Sequence, residues 1–183
     1  FANRISRLRV PTAGKWLALS VLVGFAVGTA AVCFEYLLCT VQYLSLNLLA
    51  GFSPDGAVAE YSPFPETTHA FSPPILLAVL AGGGVAAGWL AWRFAPEAAG
   101  AGTDAAVDAF HNKRGAIQLR TSVIKIVSSA ITLGTGGSAG KEGPIAQIGA
   151  GIGSHIGEKL KLSDRDRRIL LAAGMGAGVG ALF

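Results

Sequence analysis

Between two apolar stretches, residues 123–133 and 145–156, the chain reads Gly134-Thr135-Gly136-Gly137-Ser138-Ala139-Gly140-Lys141-Glu142-Gly143-Pro144. A carboxylate and an ammonium therefore sit in a glycine-rich break immediately before a proline. Proline is favoured at the first position of a helix, where its missing N–H has no intrahelical partner to lose. The sequence thus predicts a helix opening at Pro144 with Gly143 as its cap. The free amides and positive dipole end of that helix would face back into the break, which makes an anion site. Glu142, one residue before the cap, can put its own carboxylate where a dissolved anion would bind. Ligand and side chain compete, and such competition is a gate. No nucleophile, base and orienting group can be assembled from the residues present, so covalent catalysis is not expected.

The elements that must position this break are short. Each flanking stretch is about a dozen residues, and at about 1.5 Å per residue neither crosses a hydrocarbon core of roughly 30 Å alone. Both are expected to end inside a membrane, where irregular backbone survives only if protein or a water-filled cavity satisfies it. Composition agrees: 51% of residues are hydrophobic, 14% are charged, and glycine accounts for 25 of 183, as in packed membrane helices. The net charge of +4 does not indicate nucleic acid, because no lysine or arginine occurs between Lys15 and Arg93. The basic residues lie at chain ends and short loops, the positive-inside pattern. Cys33 and Cys39 lack ligand spacing and read as packing residues rather than a disulfide or a metal site.

Other glycine-loop chemistries fit poorly. A phosphate-binding loop needs Gly five places before Gly140, where Thr135 stands, and a Ser or Thr where Glu142 stands. A loose dinucleotide fingerprint from Gly134, Gly136 and Ala139 has no strand before it. An ordinary polar turn that starts a helix remains an alternative on local grounds.

Gly140-Lys141-Glu142-Gly143-Pro144, followed by Ile145-Ala146-Gln147-Ile148-Gly149, closely resembles the G-R/K-E-G-P signature of the CLC chloride channels and chloride/proton exchangers. The small-residue run from Ala172 to Phe183 resembles a later helix of that family, and the resemblance covers residues 98–183. It implies an all-α polytopic membrane protein of the CLC inverted-repeat fold, with broken and tilted helices, of which this chain is the first half. It implies Glu142 as the gating residue and an anion held near Gly140, Lys141, Gly143, Pro144 and Ile145. Upstream, Gly100-Ala101-Gly102-Thr103-Asp104 is similar in order and position to the family's G-S-G-I-P segment, which contacts the anion from the inner side. Here Ala101 replaces the serine, Thr103 the isoleucine and Asp104 the proline, so glycines and amides remain but the hydroxyl is lost. Asp104 reads as a helix-start residue. The resemblance further implies chloride or a similar small anion as transported ligand, no cofactor, no metal, a lipid bilayer and a second copy as partners, and a bacterial plasma membrane.

Taken in order, residues 1–14 carry Arg4, Arg7 and Arg9 and are expected on the cytoplasmic face. Residues 15–50 form one long, tilted apolar helix on which Glu35 reaches the far interface in a structural role. Residues 51–72, with Asp55, Glu60 and Glu66, form an external loop. A second span opens at Pro73 or Pro74 and runs to Trp92, its Gly82, Gly83, Gly84 and Gly88 offering a face for close packing. A short helix then ends near His111, an exposed cap, and Arg120 and Lys125 flank the start of the segment that climbs to the break. The helix after Pro144 descends on Gly149, Gly151, Gly153 and Gly157 to a basic loop, residues 158–168, and Ser163 with Asp166 starts a last segment lined by Gly174, Gly176, Gly178 and Gly180. That segment stops at Phe183 without a cap, so the chain reads as part of one membrane domain truncated there, residues 15–183 being its helices. Two rival functions remain at this level: a non-conducting scaffold or accessory subunit, and an unrelated anion transporter using the same helix-end device.

Overall fold

In the computed structural model, residues 12–53, 64 and 70–183 are described, and every regular element among them is helical. The arginine-bearing N-terminal arm and most of the expected external loop, with Asp55, Glu60 and Glu66, lie outside the described residues. Helix α1 spans Thr12–Gln42 and continues as a π-helical run, Tyr43–Leu49. Together they give an apolar element of 36 residues, Gly14–Leu49, about 54 Å long at an α-helical rise. Leu19, Val23, Val27, Ala31, Phe34 and Leu38 are buried in one stripe at steps of three or four. The opposite face is equally apolar but exposed, with Leu17, Val21, Phe25 and Val32. Apolar all round is the pattern of a helix bathed in lipid. Cys33 is exposed on it rather than packed, Cys39 is half-buried, and neither is in a disulfide.

Helix α2, Pro73–Phe94, opens with both prolines in its first turn and is the second element long and apolar enough to cross a bilayer. A 3-10 turn, Pro96–Ala98, follows. Then come α3, Thr103–His111, α4, Leu119–Gly134, α5, Glu142–Lys159, and α6, Asp164–Gly180. At 16 and 18 residues, α4 and α5 are longer than the apolar stretches that predicted them, yet at about 24 and 27 Å still short of a full bilayer core.

The chain forms two compact units. One holds Val32–Ala99 and Ile124–Lys141. Within it the end of α4 lies against the end of α1: a Cβ on Gly134 would sit 2.7 Å from Val41 Cγ1, and Ser45 Oγ donates to the Gly134 carbonyl at 2.6 Å. Of the glycines predicted to pack α2, only Gly83 does so, meeting Thr135, while Gly82, Gly84 and Gly88 have open space around them. Lys125, expected to flank the helix start, is instead buried and donates to the Ala98 carbonyl at 3.0 Å.

The other unit comprises Phe1–Ala31, Gly100–Val123 and Glu142–Phe183. Its axis is the α5–α6 pair, which approaches backbone to backbone. A Cβ on Gly149 would run into the Gly174 carbonyl, one on Gly153 into the Leu170 carbonyl, and one on Gly178 would lie 2.6 Å from the Ile145 carbonyl. Leu19, Val23 and Val27 of α1 pack with Leu170 beside this seam, and Ala106, Ala109, Ile117, Ala150 and Leu171 close it from the α3 side. Ser163 caps α6 by accepting from the Asp166 amide at 3.2 Å, as its spacing predicted. Ser154, in the middle of α5, is completely buried. Its hydroxyl donates to the Gly115 carbonyl at 2.6 Å and accepts from the Ile117 amide at 3.0 Å and from Arg167 Nε at 3.1 Å.

Candidate anion site at the starts of helices 3 and 5

Helix α5 begins at Glu142, not at Pro144. The correction has a simple cause: all of the first four N–H groups of a helix lack intrahelical acceptors, so proline is tolerated at the third position as well as the first. Glu142 is therefore a first-turn residue rather than a residue outside the cap, and its side chain is exposed. An acidic residue in a first turn is stabilised by the positive helix end. The first turn keeps free amides at Glu142 and Gly143, Pro144 contributes none, and Ile145, four residues after Lys141, is the first whose amide pairs within the helix.

Helix α3 begins close by in the same unit. Gly100 and Gly102 both have positive φ, 78° and 101°, a conformation that bends the chain sharply around Ala101 and is open to glycine at no steric cost. Gly102 is the N-cap of α3. A Cβ there would lie 2.9 Å from the Gly143 carbonyl and 2.8 Å from Gln147 Oε1, and one on Gly143 would run into the Ala101 carbonyl. The two motifs singled out in sequence, forty residues apart, are thus in backbone contact, and only glycine allows it. Bringing two helix N-termini together concentrates two positive dipole ends, an arrangement that calls for negative charge. Glu142 in the first turn of α5 and Asp104 in the first turn of α3 are the acidic residues there, and both are exposed.

The remaining predicted positions divide. Ala101 is exposed on the turn, whereas Pro144 and Ile145 are buried. Gly140 lies in the irregular, exposed segment before α5. Lys141 places its ammonium 3.0 Å from Glu35 Oε1, so its charge is directed to α1. His111 ends α3 exposed, with its ring edge-on to Phe110 at 5.1 Å. Sequence reasoning did not single out Gln147, which is completely buried one turn inside α5 beside Gly102. A polar amide in an otherwise apolar stretch was the signal available.

Fold and site together define a polytopic, all-helical membrane protein whose interrupted helices converge on their N-terminal ends. Residues 83–183 match the family described as voltage gated chloride channel. The chain is 32% identical over 169 residues to the H(+)/Cl(-) exchange transporter ClcA of Vibrio cholerae, covering 91% of this chain and 33% of that protein. It is 26% identical over 174 residues to the chloride/fluoride channel protein of Pseudomonas syringae pv. tomato, 95% of this chain and 33% of that protein. Its structure matches the crystal structure of a slow cyanobacterial Cl-/H+ antiporter with a TM-score of 0.67 at 27% identity, over 91% of this chain and 36% of that one. The chain belongs to the voltage-gated chloride channel family, the CLC family. It spans about a third of the length of the curated relatives it matches.

Proposed function

We propose that this chain is the first part of the membrane domain of a CLC-type transporter that moves chloride or a similar small anion. Glu142 acts as the gate, the Gly143 amide as an anion donor, and Gly100, Ala101 and Gly102 line the inner approach. The observation that carries this reading is the meeting of the α3 and α5 starts, Gly102 against Gly143, beside an exposed Glu142. Exchange and channel conduction both occur among the named relatives. Proton coupling is what separates the two. The test is anion flux in liposomes carrying the full-length protein. The expected result is flux in the wild type, and Glu142→Gln flux that no longer depends on pH; proton coupling, where the wild type has it, is lost. No flux from either version would favour a scaffold or accessory role.

The protein acts as a homodimer in a bacterial plasma membrane with its N-terminus cytoplasmic, an orientation supported by the arginines at 4, 7 and 9 and the acidic loop at 51–72. In a Cys33→Ala/Cys39→Ala background, a cysteine within residues 51–72 should react with an impermeant thiol reagent from outside, and Lys161→Cys should not. The reverse labelling would overturn the orientation, and a monomer by cross-linking in membranes would overturn the dimer.

A further inference from the structure

In the unit built on the α5–α6 pair, the bases at one end outnumber the acids. Lys113 pairs with Asp108 at 3.0 Å, Arg114 with Asp164 at 3.8 Å, Arg167 with Glu158 at 2.9 Å and Lys15 with Asp166 at 3.1 Å. Lys159, Lys161, Arg165 and Arg168 remain, and none of them makes an ion pair among the described residues. The two lysines and Arg165 are exposed. Arg168 is half-buried, packed over Gly115, with its guanidinium carbon 6.0 Å from the centre of the Phe110 ring. Its Nε has no hydrogen-bond partner among the described residues. A planar guanidinium set against an aromatic face and given no carboxylate suits the oxygens of a phosphate.

The same end marks the edge of the hydrocarbon. The long apolar element starts at Gly14, and Lys15 and Trp16 follow at once, the ammonium 5.3 Å from the indole centre. Tryptophan at such a boundary is an anchor at headgroup level. Trp16, Leu160 and Leu162 pack onto one cluster with Leu19, Val23, Val27 and Leu170, while Lys159 and Lys161 alternate with those two leucines and stay exposed. Exposed apolar side chains begin directly beyond the charges, at Leu17 and Val21 on α1 and at Ile169, one turn past Arg165, on α6. We propose that the α5–α6 turn binds an anionic phospholipid, with Lys159, Lys161, Arg165 and Arg168 around its phosphate and its acyl chains on the apolar surface beyond. An acidic peptide or a free phosphate would match the charge alone. A charged head with an apolar tail matches both features. The site is independent of the gate reading.

The experiment titrates the full-length protein in neutral detergent with phosphatidylglycerol carrying a fluorophore on one acyl chain. Phosphatidylcholine with the same label is the reference, and glycerol 3-phosphate is the competitor. A basic residue near an anionic headgroup contributes about fivefold in affinity. The wild type should therefore prefer phosphatidylglycerol by roughly a hundredfold, and the preference should shrink as salt is raised. Arg165→Gln should reduce it about fivefold, and Lys159→Gln/Lys161→Gln/Arg165→Gln should bind the two lipids within about fivefold of each other. Arg93→Gln, which removes one charge from the end of α2 in the other unit, should leave the preference unchanged. Arg168→Lys keeps the charge, loses the planar fork and should weaken binding several-fold. The side chains at 159, 161 and 165 hold nothing among the described residues, so their variants should melt with wild type and decide the matter even where Arg168→Lys unfolds early. Equal affinity for the two lipids in the wild type overturns the proposal. So does an Arg93→Gln loss as large as that of Arg165→Gln, which would reflect net charge alone. Displacement of the lipid by glycerol 3-phosphate overturns it in favour of a free-phosphate site.

Discussion

Gly149 on α5 and Gly174 on α6 meet reciprocally: a Cβ on either would run into the carbonyl oxygen of the other. This backbone-to-backbone contact sets how closely the two helices lie, and it fixes the helix whose first turn carries Glu142. In lipid, helix association relies on such close approach, because the surrounding chains are as apolar as the side chains. Gly149→Ala and Gly174→Ala should therefore each lower stability by about 1–3 kcal/mol, since the obstructing atom is backbone and cannot rotate away. Gly176→Ala, where nothing lies within 4 Å, should be neutral by comparison. Melting of the detergent-solubilised protein checks both, and equal melting of all three variants would refute the close seam.

Ser154 carries a second, polar determinant of the same unit. One buried hydroxyl serves the Gly115 carbonyl, the Ile117 amide and Arg167 Nε, and Arg167 also pairs with Glu158 at 2.9 Å. It thereby ties the segment after α3 to the start of α6. Ser154→Ala removes all three bonds at once. Each buried group left unmet costs about 1–3 kcal/mol, so the variant should melt well below wild type. Ser163→Ala, at the exposed α6 cap, should cost only about 1 kcal/mol. A Ser154→Ala protein that melts with wild type would show that water replaces the hydroxyl.

Much of this arrangement was legible before the structure. Continuous apolarity gave α1 and α2, the proline and glycine punctuation gave the break before α5, and Ser163 with Asp166 gave the α6 cap, because each depends on residues close together in the chain. The start of α5 was displaced by two residues because proline's missing N–H is tolerated anywhere in a first turn, so Pro144 alone does not mark position one. The π-helical end of α1 leaves no periodicity that seven residues could reveal. Glycine spacing predicted packing on α2 and on α6, yet only Gly83 on α2 is in contact, while Gly174 and Gly178 on α6 are; spacing shows that a helix can be approached, not what approaches it. The pairing of Glu35 with Lys141, 106 residues apart, and the burial of Lys125 are tertiary facts. Charge pattern along the chain carries no information about which partner a flexible cation will reach.

Ala101 is the site's plainest departure from the family pattern that it resembles, and its position makes the departure testable. It lies exposed between two glycines of positive φ, with its carbonyl against Gly143. A hydroxyl added to an exposed side chain has no burial to overcome, so Ala101→Ser should fold as wild type does. A serine hydroxyl donating to a desolvated anion contributes about 1.5–3 kcal/mol, roughly ten- to a hundredfold in relative affinity. Backbone amides attract negative charge with little regard to the ion's size, so the native site should discriminate weakly. The serine variant should favour chloride over larger or polyatomic anions such as nitrate. Relative exchange rates of the two full-length versions under identical gradients measure this directly. Identical selectivity sequences would mean that residue 101 does not face the ion, and would move the anion's inner contact from the α3 turn to the amides of α5.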